Sequence, residues 1–129
     1  EPEIDGRQIQ YIGPVNEHQK NVLLSEAEGF LFPIEWEEPM ALIVLEALAS
    51  GLPVIALNRG SIPELLTHGK DGFICSSGEE MTSAVKRLHE IDRAECRRTA
   101  ETRFSSEVIV RKYEGLYHDL LRSENVCLE

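Results

Sequence analysis

The chain has 129 residues, a formal net charge of −10 at neutral pH and an apolar fraction of 42%. That length gives one domain with room for a real core, and the acidic balance argues against nucleic acid as a partner. No apolar stretch approaches the roughly 20 residues that span a bilayer, so no transmembrane segment is expected.

Taken in chain order, Ile9-Gln10-Tyr11-Ile12 reads as a first strand ended by Gly13-Pro14. Asn16 is the expected N-cap of a helix over Glu17 to Ala27, with Val22, Leu23 and Ala27 inward. Gly29-Phe30-Leu31-Phe32-Pro33 reads as the second strand, running into a loop over Glu35–Glu38. Pro39 suits the first position of a helix, having no N–H to lose there and a φ already helical. That helix is expected to reach Ser50, with Gly51 as its stop and Pro53 preventing continuation. Val54-Ile55-Ala56-Leu57 is a short apolar run of the buried, parallel-sheet kind. Ser61 is placed as the cap of a short helix from Pro63 to Thr67 ended by Gly69, and Gly72-Phe73-Ile74-Cys75 as the fourth strand. Ser77 or Gly78 opens an amphipathic helix with Met81, Ala84, Val85, Leu88 and Ile91 at helical spacing. A last helix or helix pair runs from about Arg93 to Leu121, with Ser105 or Ser106 capping its second part. Val108, Tyr113, Leu116, Tyr117, Leu120 and Leu121 are predicted to face inward. This alternation with short connections implies an α/β fold with a mostly parallel sheet of about four strands flanked by helices.

The chemistry concentrates between Glu38 and Ala56. Glu38 and Glu46 bracket Pro39-Met40-Ala41-Leu42-Ile43-Val44-Leu45, and a loop–helix–strand unit of this type sets a helix N-terminus beside the C-terminal edge of a sheet. Free N–H groups and partial positive charge make such a terminus an anion site, most often for phosphate. On the expected helix Glu46 lies eight residues beyond Glu38, roughly 80° around the axis. Two carboxylates beside a phosphate-binding helix point to hydroxyl recognition on a sugar nucleotide.

The run from Glu35-Trp36-Glu37-Glu38-Pro39 through Ala56 resembles the E-x(7)-E signature of the family 4 retaining glycosyltransferases of GT-B fold, usually close to E-P-F-G-L-x-x-x-E-A-M-A-x-G-x-P-V-I-A. The likeness continues through Gly60-Ser61-Ile62-Pro63-Glu64, Gly69-Lys70-Asp71-Gly72-Phe73 and the tail from Phe104-Ser105 to Tyr117. Met40 stands where the family has Phe, and Ala41 where it has Gly, so a Cβ is expected to crowd a donor phosphate. The resemblance implies the C-terminal half of a GT-B enzyme: a single partial Rossmann-like nucleotide-sugar-binding domain over residues 1–129. The acceptor domain and the start of the donor domain would lie upstream, as would a family Arg and Lys that hold the diphosphate. The opening Glu1-Pro2-Glu3, without an initiator Met, fits an excised piece of a longer protein.

By the same resemblance Glu38, the catalytic-site residue, contacts hydroxyls of the transferred sugar, and Glu46 holds the ribose. Met40, Ala41 and Leu42 offer backbone N–H groups to phosphate, and Gly13 and Val15 follow the first strand where the nucleobase often sits. The expected function is retaining transfer of a hexose from a nucleoside diphosphate sugar to a hydroxyl acceptor, metal-independent and with no cofactor. A non-catalytic sugar-nucleotide-binding or interaction module is the alternative. A dinucleotide-dependent enzyme is disfavoured, since no G-x-G-x-x-G follows a strand. The implied strand order 3-2-1-4-5-6 would leave a gap between Ile9–Ile12 and Gly29–Pro33, to be closed internally or by a homodimer through strand exchange or edge pairing.

The remaining residues read plainly. Glu35 and Glu37 suit a solvated loop, Trp36 a packed one, and Glu64 a structural cap. His18, His68, His89 and His118 form no triad arrangement, and Cys75, Cys96 and Cys127 have no metal-ligand spacing. Free thiols in a cytoplasmic protein are the expectation. Residues 1–64 carry 11 acidic side chains against Arg7, Lys20 and Arg59. The half that should hold a diphosphate is therefore the acidic one.

Overall fold

The computed structural model describes residue 4 and residues 6–124. Three parallel strands, β1 (Phe30–Phe32), β2 (Val54–Leu57) and β3 (Gly72–Cys75), form one sheet in the order β1-β2-β3. Phe30 is paired with Val54, and Val54 in turn with Gly72. The helices are α1 (Glu17–Glu26), α2 (Leu42–Ala49), α3 (Ile62–Leu65), α4 (Gly78–Val85), α5 (Arg93–Thr99) and α6 (Ser106–Glu124). A 3₁₀ turn at Leu88–Glu90 precedes α5, and a π-helical turn at Ala100–Phe104 leads into α6. The α/β class and parallel sheet agree with the sequence reading, but among the described residues the sheet has three strands, not four.

Ile9–Ile12 forms no strand; Ile9, Tyr11 and Ile12 are exposed. The Ile9 carbonyl instead accepts from the Gly6 N–H at 2.9 Å in a bend, and among the described residues β1 pairs only with β2. The central strand β2 is the most buried element, with Val54, Ile55 and Ala56 inaccessible to solvent, as a parallel strand covered on both faces must be. The backbone at Gly72 packs so tightly on β2 that an added Cβ would lie 2.2 Å from the Val54 carbonyl oxygen.

Helix ends follow side-chain chemistry. Asn16 caps α1 in a reciprocal box with Gln19, and Ser77 caps α4 by accepting from the Glu80 N–H. On α1 it is Leu24 that reaches the core, while Val22 and Leu23 stay exposed. α3 ends at Leu65, short of Thr67. Three arginines clamp carbonyls at helix C-terminal ends, where cations are favoured. Arg93 donates to Ala27 and Ser25 after and within α1, Arg97 to Ala49 of α2, and Arg103 to Glu64 and Leu65 of α3. Buried Asp71 ties the entrance of β3 to α5: its carboxylate accepts from the Thr67 N–H and the Thr99 hydroxyl, both at 2.8 Å.

Candidate functional site

Pro39 and Met40 stay outside the helix: α2 begins at Leu42, with Ala41 as its N-cap at φ −77° and ψ 75°. Glu38 is therefore in the loop before the helix, and Glu46 is the fifth helical residue, little more than one turn in. The expected placement of both carboxylates along one helix is corrected accordingly. The cause is local hydrogen bonding. The Glu38 N–H donates to the Trp36 carbonyl at 3.0 Å, and the Leu42 N–H to the Met40 carbonyl at 2.9 Å, which holds two tight bends in a row.

That loop is clamped by the one following β2. The Glu38 carbonyl accepts from the Ser61 N–H at 2.9 Å, and the Glu37 carboxylate from the Gly60 N–H at 2.6 Å. Gly60 has φ +51°, and a Cβ there would meet the Glu38 carbonyl oxygen at 2.3 Å. Only glycine fits this approach. The Glu37 reading as a merely solvated acid is corrected: it joins two loops 23 residues apart. Glu38 itself is half-buried, and its carboxylate accepts from the Trp36 indole N–H at 3.0 Å and the Met40 N–H at 3.4 Å. Trp36 is 62% exposed, so it does not pack inside the loop as expected; its ring lies open beside Glu38.

At the start of α2 no side chain caps the helix and no acidic residue sits in the first turn. The Ala41 N–H donates to the Ser61 hydroxyl over a long 3.4 Å. The Ala41 methyl belongs to the buried core. Met40 and Leu42 keep their side chains largely exposed.

Glu46 projects from α2 towards α1, where its Oε1 accepts from the Lys20 ammonium at 2.7 Å. Its other side borders a groove of about 380 Å³ between α2 and the π-helical turn, with Leu42, Arg97 and Phe104 in its walls. Val15 lines a separate groove of about 420 Å³ against α1, with Ile12 and Gln19. Gly13 has φ +68° and open space around it. Glu38, Met40, Ala41 and Leu42 thus lie at the start of α2 with Glu46 just over one turn further along it, while Val15 lines the separate groove against α1.

Sequence reasoning missed Lys20 and Glu37. Each acts on a residue more than 20 positions away, and no spacing rule reaches that far. Glu64 contributes its backbone carbonyl to Arg103, and His68 receives the Ile74 N–H on Nδ1 at 3.1 Å. Cys75 and Cys96 are buried free thiols, while Cys127 lies outside the described residues. No helix of the described residues is long and apolar enough to cross a membrane.

Residues 5–103 match the family described as glycosyl transferases group 1. N-acetyl-alpha-D-glucosaminyl L-malate synthase of Bacillus anthracis is 34% identical over 111 residues, 80% of this chain and 26% of that protein. Spore coat protein SA of Bacillus subtilis is 32% identical over 83 residues, 64% of this chain and 21% of that protein. Among solved structures, Anabaena HepE in complex with UDP-glucose superposes with a TM-score of 0.70 at 18% identity, covering 88% of this chain and 33% of HepE. The chain thus spans about a fifth to a third of the length of these proteins, and its three-stranded sheet and helices have the GT-B arrangement. On the match over residues 5–103, the chain belongs to the group 1 glycosyltransferases.

Proposed function

We propose that this chain is the donor-binding part of a retaining glycosyltransferase, whose whole protein transfers a hexose from a nucleoside diphosphate sugar to a hydroxyl acceptor. The observation that carries this reading is the clamp at the start of α2. Glu38 is fixed on both its carbonyl and its carboxylate beside a helix terminus without a side-chain cap. Glu38 binds hydroxyls of the sugar, and Glu46 binds the ribose. The long bonds from the Met40 and Ala41 N–H groups are readily exchanged for phosphate oxygens, with Leu42 beside them. The UDP-glucose held by HepE, which shares this fold, supports a nucleotide sugar as ligand.

The leaving diphosphate needs its charge neutralised, which helix N–H groups and cations can do without a metal. Front-face attack, with a diphosphate oxygen assisting removal of the acceptor proton, then requires no protein nucleophile. The acceptor is held by a domain outside these residues, so the chain alone binds donor and does not transfer. β1 pairs with no strand on its outer edge among the described residues, and its Leu31 is 53% exposed. A homodimer through this edge belongs to the same proposal.

Titration of the chain with UDP, ADP and GDP, followed by amide chemical shifts, tests the reading. Binding near millimolar is expected, with shifts at residues 40–42 and 46 and a several-fold loss in Glu46→Gln. Shifts confined to Arg97–Arg103 would mean nonspecific anion binding and overturn the assignment.

A further inference from the structure

Among the ionic contacts of the acidic N-terminal half, one joins a candidate ligand to a different element. Lys20 lies on α1 and Glu46 on α2, 26 residues apart, and their 2.7 Å ion pair is part-buried, with side chains 30% and 42% exposed. Five further ion pairs lie in the second half of the chain, four of them between neighbours three or four residues apart in sequence. α1 is itself anchored at both ends, by the Asn16 capping box at its start and by the Arg93 guanidinium on the Ala27 and Ser25 carbonyls at its end. Lys20 is therefore carried on a helix that is held in place, and α2 is held through its buried face and by Arg97.

We infer that Lys20 is a positioning residue for ribose recognition, acting through Glu46; the inference rests on the donor-binding reading above. A glutamate on a helix surface samples several rotamers, and fixing one costs entropy when a ligand demands it. Lys20 fixes the Glu46 carboxylate before ligand arrives, by an ammonium bond to Oε1. A carboxylate has about four lone-pair sites on its two oxygens. Oε2 and the second lone pair of Oε1 thus stay open to a vicinal diol, the pair of adjacent hydroxyls on a ribose. The ammonium also offsets the repulsion that an uncompensated carboxylate would exert on a nearby diphosphate. A pair that is neutral overall can then accept a diol beside a dianionic group.

The test pairs protein variants with a ligand lacking the diol. Affinities of the tightest binder among UDP, ADP and GDP, and of its 2′,3′-dideoxy counterpart, are measured for wild type, Lys20→Met, Lys20→Arg, Glu46→Gln and the double variant Lys20→Met/Glu46→Gln. The expected result is a loss of about three- to tenfold for Lys20→Met with the ribonucleotide, no loss with the dideoxynucleotide, and partial rescue by Lys20→Arg. In the Glu46→Gln background, Lys20→Met should cost nothing more. Equal losses on both ligands would place Lys20 on the phosphates or in bulk electrostatics and overturn the inference. So would an unchanged Lys20→Met beside a weakened Glu46→Gln, which leaves the donor-binding reading standing. An unchanged Glu46→Gln overturns the Glu46 assignment itself, and the inference with it.

Discussion

Helices α2 and α6 both carry an apolar stripe at helical spacing, and the two stripes lie in different surroundings. In α2, Val44, Ala47 and Leu48 are inaccessible to solvent, covered by the sheet and by α5. In α6, Val110, Tyr113, Leu116 and Tyr117 are each more than half exposed, although the helix is more than twice as long. Periodicity identifies a helix and its apolar face, because that is a property of the helix alone. Coverage of the face is a property of what lies opposite, which the local sequence does not encode. The inward orientation expected for Tyr113, Leu116, Tyr117, Leu120 and Leu121 is accordingly corrected: the stripe exists, and the described residues leave it exposed. An apolar surface of this kind normally marks an interaction face.

The same substitution on the two helices gives the largest and the smallest effects that break or sharpen this contrast. Leu48→Ala removes a side chain with no exposed surface from the centre of the core. Transfer and cavity terms together should cost about 3 to 4 kcal/mol, a drop in melting temperature on the order of 10 °C. Urea unfolding followed by circular dichroism checks it. A cost below about 1 kcal/mol would show that α2 is loosely packed and that the contrast with α6 is false.

How far the sequence was legible follows the same line. The four-residue runs at Val54–Leu57 and Gly72–Cys75, the Asn16 and Ser77 caps and the start of β1 were readable because each depends on neighbours within a few positions. Ile9–Ile12 has the composition of a strand, but a strand needs a partner, and among the described residues β1 pairs only with β2. Pro39 is compatible with a first helical turn, yet the bends at Trp36–Glu38 and Met40–Leu42, with Glu37 held by Gly60 and Glu38 by Ser61, delay the helix to Leu42. Within the candidate site, Glu38 and Glu46 were visible through the resemblance. Their partners were not, since Lys20 and Ser61 reach them only through the fold.

An intermediate effect comes from the face of α5 that covers α2. Cys96 has no exposed surface, and its thiol donates to the Asp71 carbonyl at 3.4 Å. Burial, reinforced by the Asp71 charge, pushes its pKa from 9.0 up to about 12. Below pH 9 the thiol is neutral in both the folded and the unfolded chain, and its contribution to stability is fully present. As pH rises from 9 towards 12 the unfolded chain releases the proton and the folded chain keeps it. Stability therefore falls, by up to about 1.4 kcal/mol per pH unit from this group. Cys96→Ala should lose stability at pH 8 but show a shallower decline between pH 9 and 10.5 than wild type. Parallel declines would mean that the Cys96 side of α5 opens readily, and that α2 is less well covered than its burial indicates.

The smallest effect is expected on α6. Leu116 is 52% exposed and flanked on its stripe by Tyr113 and Tyr117, whose rings lie 6.3 Å apart. Leucine and alanine differ little in helix propensity, and an exposed side chain leaves no cavity when it is shortened. Leu116→Ala should change the stability of the chain by less than about 0.5 kcal/mol, under a fifth of the Leu48→Ala cost. The measurement is most informative as a dilution series. If the stripe is open, the small difference holds from micromolar to hundreds of micromolar protein. If a second copy covers it, wild type gains stability with concentration by mass action and Leu116→Ala gains less. A cost above about 1 kcal/mol that grows with concentration would make α6 a buried helix in solution, and its difference from α2 one of assembly and not of sequence.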